Sequence, residues 1–381
     1  YRRRSRMEQR DTTIEGYNQD DSLSLIKAFK KDTSKDDIKY LLEVGANVNE
    51  IGEQGITPLM LAASKHFSSE IVQRMIDLNA NVNAVDKSLR SPLFFALVNW
   101  YNTITTGALK VLLQNGAKLM RNTVSTLMCA IFFGCDYDVI ELILDHSTAD
   151  DVNLKTNYDG KTALLYALGR GVDLEIITLL LDRGASAIIG DKNKKTPLWT
   201  AFENNCEDDI IDLLLSNGAD PNIGPELCYR RTPLMIAIST NRSKDVIKQL
   251  LDYRADVNQS DEYGWTPLRF ACRSRDRDII QLLFDRGADA NITDHEKVSP
   301  LMYAVELKLP GRTLEMLLEH GANINHQDEN GDTSLMHAIY HQCNEDVFRV
   351  LLERADLDVH VSNNEGFTAL KLAIRHHSLF S

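Results

Sequence analysis

Cysteine is scarce in this chain, and the little there is follows no pattern. Cys129, Cys135, Cys206, Cys228, Cys272 and Cys343 form no C-x-x-C pair and no set with histidine at metal-ligand spacing. A disulfide-stapled secreted fold needs far denser cysteine, so a reducing, cytoplasmic setting is expected. Twenty Gly and nine Pro are too few for a collagen-like or low-complexity chain. Basic charge is in deficit: 42 Lys and Arg stand against 55 Asp and Glu, for a net charge of −13. That sign is wrong for a general nucleic-acid binder, although a local basic surface is compatible with it. Long apolar runs are also missing. Ser91 to Leu109 is uncharged, but Pro92, Asn99, Asn102 and its threonines deny it the apolar content of a membrane span, so no membrane insertion is expected. Arg2, Arg3, Arg4, Arg6 and Arg10 are followed by no apolar segment, which argues against a secretory signal. What remains is an ordinary soluble composition, 43% apolar and 25% charged, in a length of 381 residues that allows two or three domains.

A repeat overrides that domain arithmetic. The tetrapeptide Thr57-Pro58-Leu59-Met60 returns as Ser91-Pro92-Leu93-Phe94, Ser125-Thr126-Leu127-Met128, Thr162-Ala163-Leu164-Leu165 and Thr196-Pro197-Leu198-Trp199. It continues as Thr232-Pro233-Leu234-Met235, Thr266-Pro267-Leu268-Arg269, Ser299-Pro300-Leu301-Met302, Thr333-Ser334-Leu335-Met336 and Thr368-Ala369-Leu370-Lys371. Successive copies lie 33 to 37 residues apart. A second element keeps the same beat, as in Gly45-Ala46-Asn47-Val48-Asn49, Gly218-Ala219-Asp220-Pro221-Asn222 and Gly321-Ala322-Asn323-Ile324-Asn325. Thr or Ser caps a helix, and Pro occupies its first turn, where a missing N–H costs nothing. Leu and the following Ala face a neighbouring helix, and a second helix carries Ile/Val-x-x-Leu-Leu, as in Ile279 to Leu283. Gly then ends that helix in the left-handed conformation, and an Asx-rich hairpin-like loop leads to the next unit. A helix pair this short cannot bury its own apolar face, so stacking must supply the core.

This pattern resembles the ankyrin repeat over residues 21 to 377, with ten complete units and an incomplete one. The resemblance implies an all-α solenoid of stacked helix-turn-helix units, on the order of 100 Å long at about 10 Å per unit. Residues 1–20 read as a basic, flexible tail and 378–381 as a truncated end. The eleventh unit has no second helix and the chain opens on Tyr1, so it reads as a piece of something longer. The family's His after Thr-Pro-Leu is absent from every unit. Met60, Met128, Met235, Met302 and Met336 take that place and are expected to pack between helices. Losing that His removes a polar tie between loops, for which hydrophobic packing must substitute. The loop from Gly116 to Ser125 is short, that from Gly218 to Thr232 is long, and Val98 to Gly107 lengthens an inter-helix turn.

No catalytic constellation survives the register. There is no G-x-S-x-G, no P-loop and no H-E-x-x-H. Gly169-Arg170-Gly171 falls at an inter-helix turn, and the histidines share no common position. The expectation is no enzyme, no cofactor and no metal-ligating set. Recognition remains. The resemblance implies that partners bind along a concave groove made by loop tips and first helices, and two clusters fall at its variable positions. One is aromatic: Trp100, Tyr101, Phe132 and Phe133. The other is basic and aromatic: Lys192, Lys194 and Lys195 on one tip, Tyr229, Arg230 and Arg231 on the next, and Tyr263 and Trp265 on a third. Arg273, Arg275 and Arg277 follow at the end of that third unit's first helix. Such groups suit an acidic or phosphorylated protein segment through charge-assisted and cation–π contacts, or single-stranded RNA through stacking. The leading expectation is a non-catalytic protein-interaction module, a scaffold or adaptor. The alternative is the recognition arm of a larger enzyme, ubiquitin-ligase adaptor or channel.

The irregular spacings predict a weak seam across residues 98–125, because repeat stability is a sum of local and nearest-neighbour terms. Amide hydrogen exchange should be faster there than in the flanking units; uniform protection would refute the seam.

Overall fold

The computed structural model describes residues 24–31, 33–64, 69–98, 105–120 and 124–380. The basic tail (1–20), the seam's residues 99–104 and 121–123, and Trp100 and Tyr101 lie outside them. Among the described residues the secondary structure is helical, with an isolated β-bridge between Ser362 and Thr368.

Each first helix starts where the hydroxyl pattern places it. The side chain of Thr57 accepts the Met60 N–H at 3.3 Å, Ser125 that of Met128 at 3.2 Å and Thr196 that of Trp199 at 3.2 Å. Ser299 does the same for Met302 at 3.3 Å. The hydroxyl thus meets one of the N–H groups that a helix start leaves without an intrahelical partner. Helices come in pairs: Leu25–Lys30 with Lys35–Glu43, Pro58–Ser64 with Ser69–Asp77, Pro92–Val98 with Thr105–Gln114, and Thr126–Phe132 with Tyr137–Asp145. They continue as Ala163–Arg170 with Leu174–Asp182, Pro197–Glu203 with Asp208–Ser216, Pro233–Ser239 with Lys244–Asp252, and Pro267–Ser274 with Arg277–Asp285. Pro300–Glu306 with Gly311–Glu319 and Ser334–Tyr340 with Glu345–Leu352 follow, then the helix Ala369–Phe380. The chain divides into two compact units, 1–158 and 159–381.

In both units the core is the seam between successive first helices. Ala62, Ala96 and Ala130 in one unit, and Ala167, Ala201, Ala237, Ala271, Ala304 and Ala338 in the other, are all fully buried. A larger side chain at any of these positions would force the backbones apart. Met60, Met128, Met235, Met302 and Met336 are buried too, as their register predicts. The sulfurs of Met60 and Met302 also accept the N–H groups of Thr57 and Ser299, at 3.4 and 3.5 Å. No described helix is long and apolar enough to cross a membrane.

The irregular loops resolve differently. The insertion before Thr162 folds as a short helix, Ala149–Val152, closed by a reciprocal Thr148–Asp151 capping box that the sequence reading did not identify. The long loop before Thr232 makes a 3-10 turn, Glu226–Cys228, after which Tyr229 and Arg230 both take positive φ. Gly224 is obligatory there, since a Cβ would stand 2.3 Å from the Arg230 carbonyl oxygen.

The loops are tied by an asparagine ladder. Asn49 donates to the Asn79 carbonyl at 2.8 Å and accepts the Asn81 N–H at 2.9 Å; Asn83 repeats this with Gly116 and Lys118. In the second unit Asn222 bridges to Arg254 and Asp256, Asn258 to Gly287 and Asp289, Asn291 to Gly321 and Asn323, and Asn325 to Asp356 and Asp358. Every one ends the Ala-Asx-x-Asn part of the Gly-Ala-Asx-x-Asn element, and each satisfies backbone groups of the next repeat's turn. Ile188, which is exposed, occupies the same register position without a ladder. Its N–H already bonds the Ser186 hydroxyl at 3.3 Å, the turn geometry of the other rungs. Ile188→Asn should therefore reach the Gly218 carbonyl and the Asp220 N–H and stabilise the chain by about 1 kcal/mol. Asn258→Ala should destabilise it by a similar amount; urea denaturation of both variants checks the pair.

Candidate functional site

The loop tips of the second unit form the richest surface. Four of the tips are each built on an aspartate that folds the turn around itself. Asp261 Oδ1 accepts the N–H groups of Tyr263 and Trp265, both at 2.9 Å; Asp191, Asp294 and Asp328 make the same two bonds in their own loops. These aspartates are buried. Consecutive tips are then joined backbone to backbone: Glu262 N–H to Tyr229 O at 2.8 Å, His295 N–H to Tyr263 O at 3.2 Å and Glu329 N–H to Glu296 O at 3.1 Å. The side chains between the joints therefore stand on a fixed frame.

Four aromatic rings follow one another along it in tilted and edge-on contacts. Tyr229 and Tyr263 lie 5.2 Å apart between centroids, Tyr263 and Trp265 5.9 Å, and Trp265 and Phe270 5.8 Å. Tyr229 and Tyr263 keep 46% and 44% of their surface exposed, too much for core residues of this size. Two guanidinium groups interleave with them. Arg231 lies 5.4 Å from the Tyr229 centroid and 5.3 Å from that of Phe270, with Nε 3.5 Å from Asp261 Oδ2. Arg269 lies over Trp265 at 4.6 Å and Tyr303 at 4.0 Å, and pairs with Asp294 of the next loop.

The fold brings together Tyr229, Arg231, Tyr263 and Trp265, with exposed Arg230 at the rim. Lys194 and Lys195 stand on the neighbouring tip, but their charges are engaged: Lys194 with Glu226 at 2.6 Å, Lys195 with Glu203 at 2.6 Å and over the Trp199 ring at 4.6 Å. Lys192 is exposed there. The basic strip read from sequence is thus an aromatic row edged with paired cations. Arg273, Arg275 and Arg277 do not join it. They lie at the far end of the eight-residue helix Pro267–Ser274, about 12 Å along its axis. There Arg275 donates to the Leu307 carbonyl at 3.0 Å. In the first unit, exposed Phe132 packs edge-to-face on half-buried Phe133, with centroids 5.4 Å apart.

The sequence reading passed over Arg269. It holds the position of the missing family His, where the other units carry mostly apolar residues, and that contrast was the available signal. The expectation that packing alone replaces the His needs correcting, because polar ties persist through other side chains. Arg269 reaches Asp294, and Trp199 Nε1, from the same register position, donates to the Arg231 carbonyl at 3.2 Å. His337, one position on, bonds Asp328 of its own loop at 3.0 Å. Burial pulls the His337 pKa down, but Glu306 and Asp328 facing it outweigh that and leave it raised. Cys129 and Cys272 are buried as expected, and burial pushes their thiols up to about 11 and about 12, so neither is a thiolate nucleophile at neutral pH.

The comparison with known sequences decides the family. A family model described as "Ankyrin repeats (3 copies)" matches residues 25–123, 127–225, 209–294 and 300–380. The chain belongs to the ankyrin-repeat family. As a family, ankyrin repeats mediate protein–protein interaction. This ankyrin-repeat chain is 38% identical over 98 residues to the B-cell lymphoma 3 protein homolog of Mus musculus, covering 24% of this chain and 21% of that protein. It is 38% identical over 92 residues to the ankyrin repeat, SAM and basic leucine zipper domain-containing protein 1 of Dasypus novemcinctus, covering 23% and 18%. The matches span about a fifth of the length of these curated relatives. Among solved structures it is similar to the ankyrin repeat domain of Bcl-3, a member of the IkappaB protein family. That match has a TM-score of 0.49 and 28% identity, and covers 56% of this chain and 95% of that one.

Arg269→Ala would leave the Asp294 carboxylate buried without its cation and should cost on the order of 3 kcal/mol. Lys194→Ala removes a solvent-exposed pair and should cost less than about 1 kcal/mol. Chemical denaturation of the two variants side by side checks the contrast.

Proposed function

We propose that this chain is a non-catalytic recognition module, a scaffold or adaptor acting inside the cell, whose partner proteins dock on the loop tips and first helices of the second unit. The row formed by Tyr229, Tyr263 and Trp265 carries the proposal. Tyr229 and Tyr263 are exposed and Trp265 is half-buried; on a backbone already fixed by inter-loop hydrogen bonds they lose little conformational freedom on binding. Tyr and Trp also present large contact area together with a polar group. Arg231 and Arg269 lie between the rings, and Arg230 adds an exposed cation, so a partner segment with apolar side chains flanking an acidic or phosphorylated one matches the surface. The family's general role in protein–protein interaction supports the same reading. The chain would serve equally as the recognition arm of a larger enzyme, ligase adaptor or channel, since that role uses the same surface.

A second reading, single-stranded RNA, is favoured by the row of rings alone. Binding of the full chain to an arrayed library of acidic and phosphorylated peptides, and to oligonucleotides, separates the two. Peptide affinity should fall at least about tenfold in Tyr229→Ala/Tyr263→Ala, a loss within the range of interface hot spots. Oligonucleotide binding that weakens steeply with salt would favour RNA. If peptides bind the variant as well as the wild type, the docking surface is elsewhere.

A further inference from the structure

We infer that Glu306, His337 and His341 form a three-ligand site for a divalent transition-metal ion of the zinc class, bridging two adjacent repeats. His337 lies within the helix Ser334–Tyr340, and His341 caps it one turn later, so both rings share a face and stack with centroids 6.1 Å apart. Glu306 ends the first helix of the preceding repeat. One ligand atom from each of the three lies within 4.8 Å of the others. An ion about 2.0–2.2 Å from each atom requires the three to draw closer together, to roughly 3.5 Å from one another in a tetrahedral arrangement.

The tautomer of His337 is what makes this more than a cluster. Its Nε2 lies 3.0 Å from Asp328 Oδ2. That carboxylate cannot turn away, because its Oδ1 is held by the N–H groups of Asn330 and Asp332, both at 2.8 Å. Nε2 therefore carries the hydrogen, and Nδ1 is the nitrogen free to ligate. Nδ1 is buried and faces Glu306 Oε1 at 3.1 Å. Two electron-rich atoms this close need a cation between them. In the metal-free protein a proton fills that role; a metal ion that displaces it bonds both atoms without requiring them to be collinear. A carboxylate holding the far nitrogen of a ligating histidine is the usual outer partner of zinc sites. Two imidazoles and one carboxylate favour zinc-like ions over calcium or magnesium. The exposed side of His341 leaves a coordination position open to water.

Isothermal titration of the full chain with Zn²⁺ in a non-chelating buffer, paired with Co²⁺ absorption spectra, tests the site. Wild type should bind one equivalent of Zn²⁺ and give the d–d bands of nitrogen-ligated Co²⁺. His341→Ala and Glu306→Gln, whose folding is verified by their metal-free thermal melts, should each weaken binding by more than about tenfold, at least the loss seen for outer-partner substitutions. His376→Ala/His377→Ala should leave it unchanged. No saturable Zn²⁺ binding to wild type, or binding that persists undiminished in both His341→Ala and Glu306→Gln, overturns the site.

Discussion

A helix pair of this length cannot close a core by itself. Every other feature of the chain follows from that constraint. Each pair must lend its apolar face to a neighbour, which is why the first helices carry an alanine at every contact and leucine or methionine around it. Alanine lets the backbones approach, and the larger side chains fill what remains. The contact is made once per repeat and always by the same residues, so the sequence is periodic and the core is a seam instead of a centre.

Stacking by apolar contact fixes the distance between repeats but not the angle between their loops. That second restraint is polar. Within each unit the asparagine ladder and the tip-to-tip backbone bonds tie most turns to the next, and each uses groups that would otherwise depend on water. The buried aspartates belong to the same device, since a carboxylate accepting two backbone N–H groups holds a turn shut where glycine alone would leave it free. The position of the family histidine shows how flexible the chemistry is and how constant the role. Arginine, tryptophan and, one residue along, histidine each carry a polar tie from that helix turn to a loop.

These restraints leave the tips as the place where side chains are spared structural duty yet stand on a rigid support. The aromatic row of the second unit exploits that, and its arginines do two jobs: they neutralise loop aspartates and present guanidinium faces between rings. Tyr303 and Glu306 are neighbours one turn apart on a single first helix. The same helix therefore supports the aromatic row through Tyr303 and faces the His337 cluster through Glu306. Recognition chemistry and metal-ligand chemistry lie side by side without altering the scaffold.

The sequence by itself determined the repeat. Its ten helix pairs, their hydroxyl caps, the buried alanines and methionines and the left-handed glycines all follow from residues close along the chain, where spacing alone sets contact. The rungs at Asn49, Asn83 and Asn222 to Asn325 stand in the same element, as does the missing rung at Ile188. What spacing cannot set is the pairing of side chains a repeat apart. Lys194 reads as a free cation until Glu226 of the next repeat meets it, and Arg273 joined a cluster from which a helix length separates it. Arg269, Asp294, His337 and Glu306 looked like scattered polar residues. Only the tertiary structure brought each beside a partner 25 to 31 positions away, because stacking, not the local chain, decides which charge faces which.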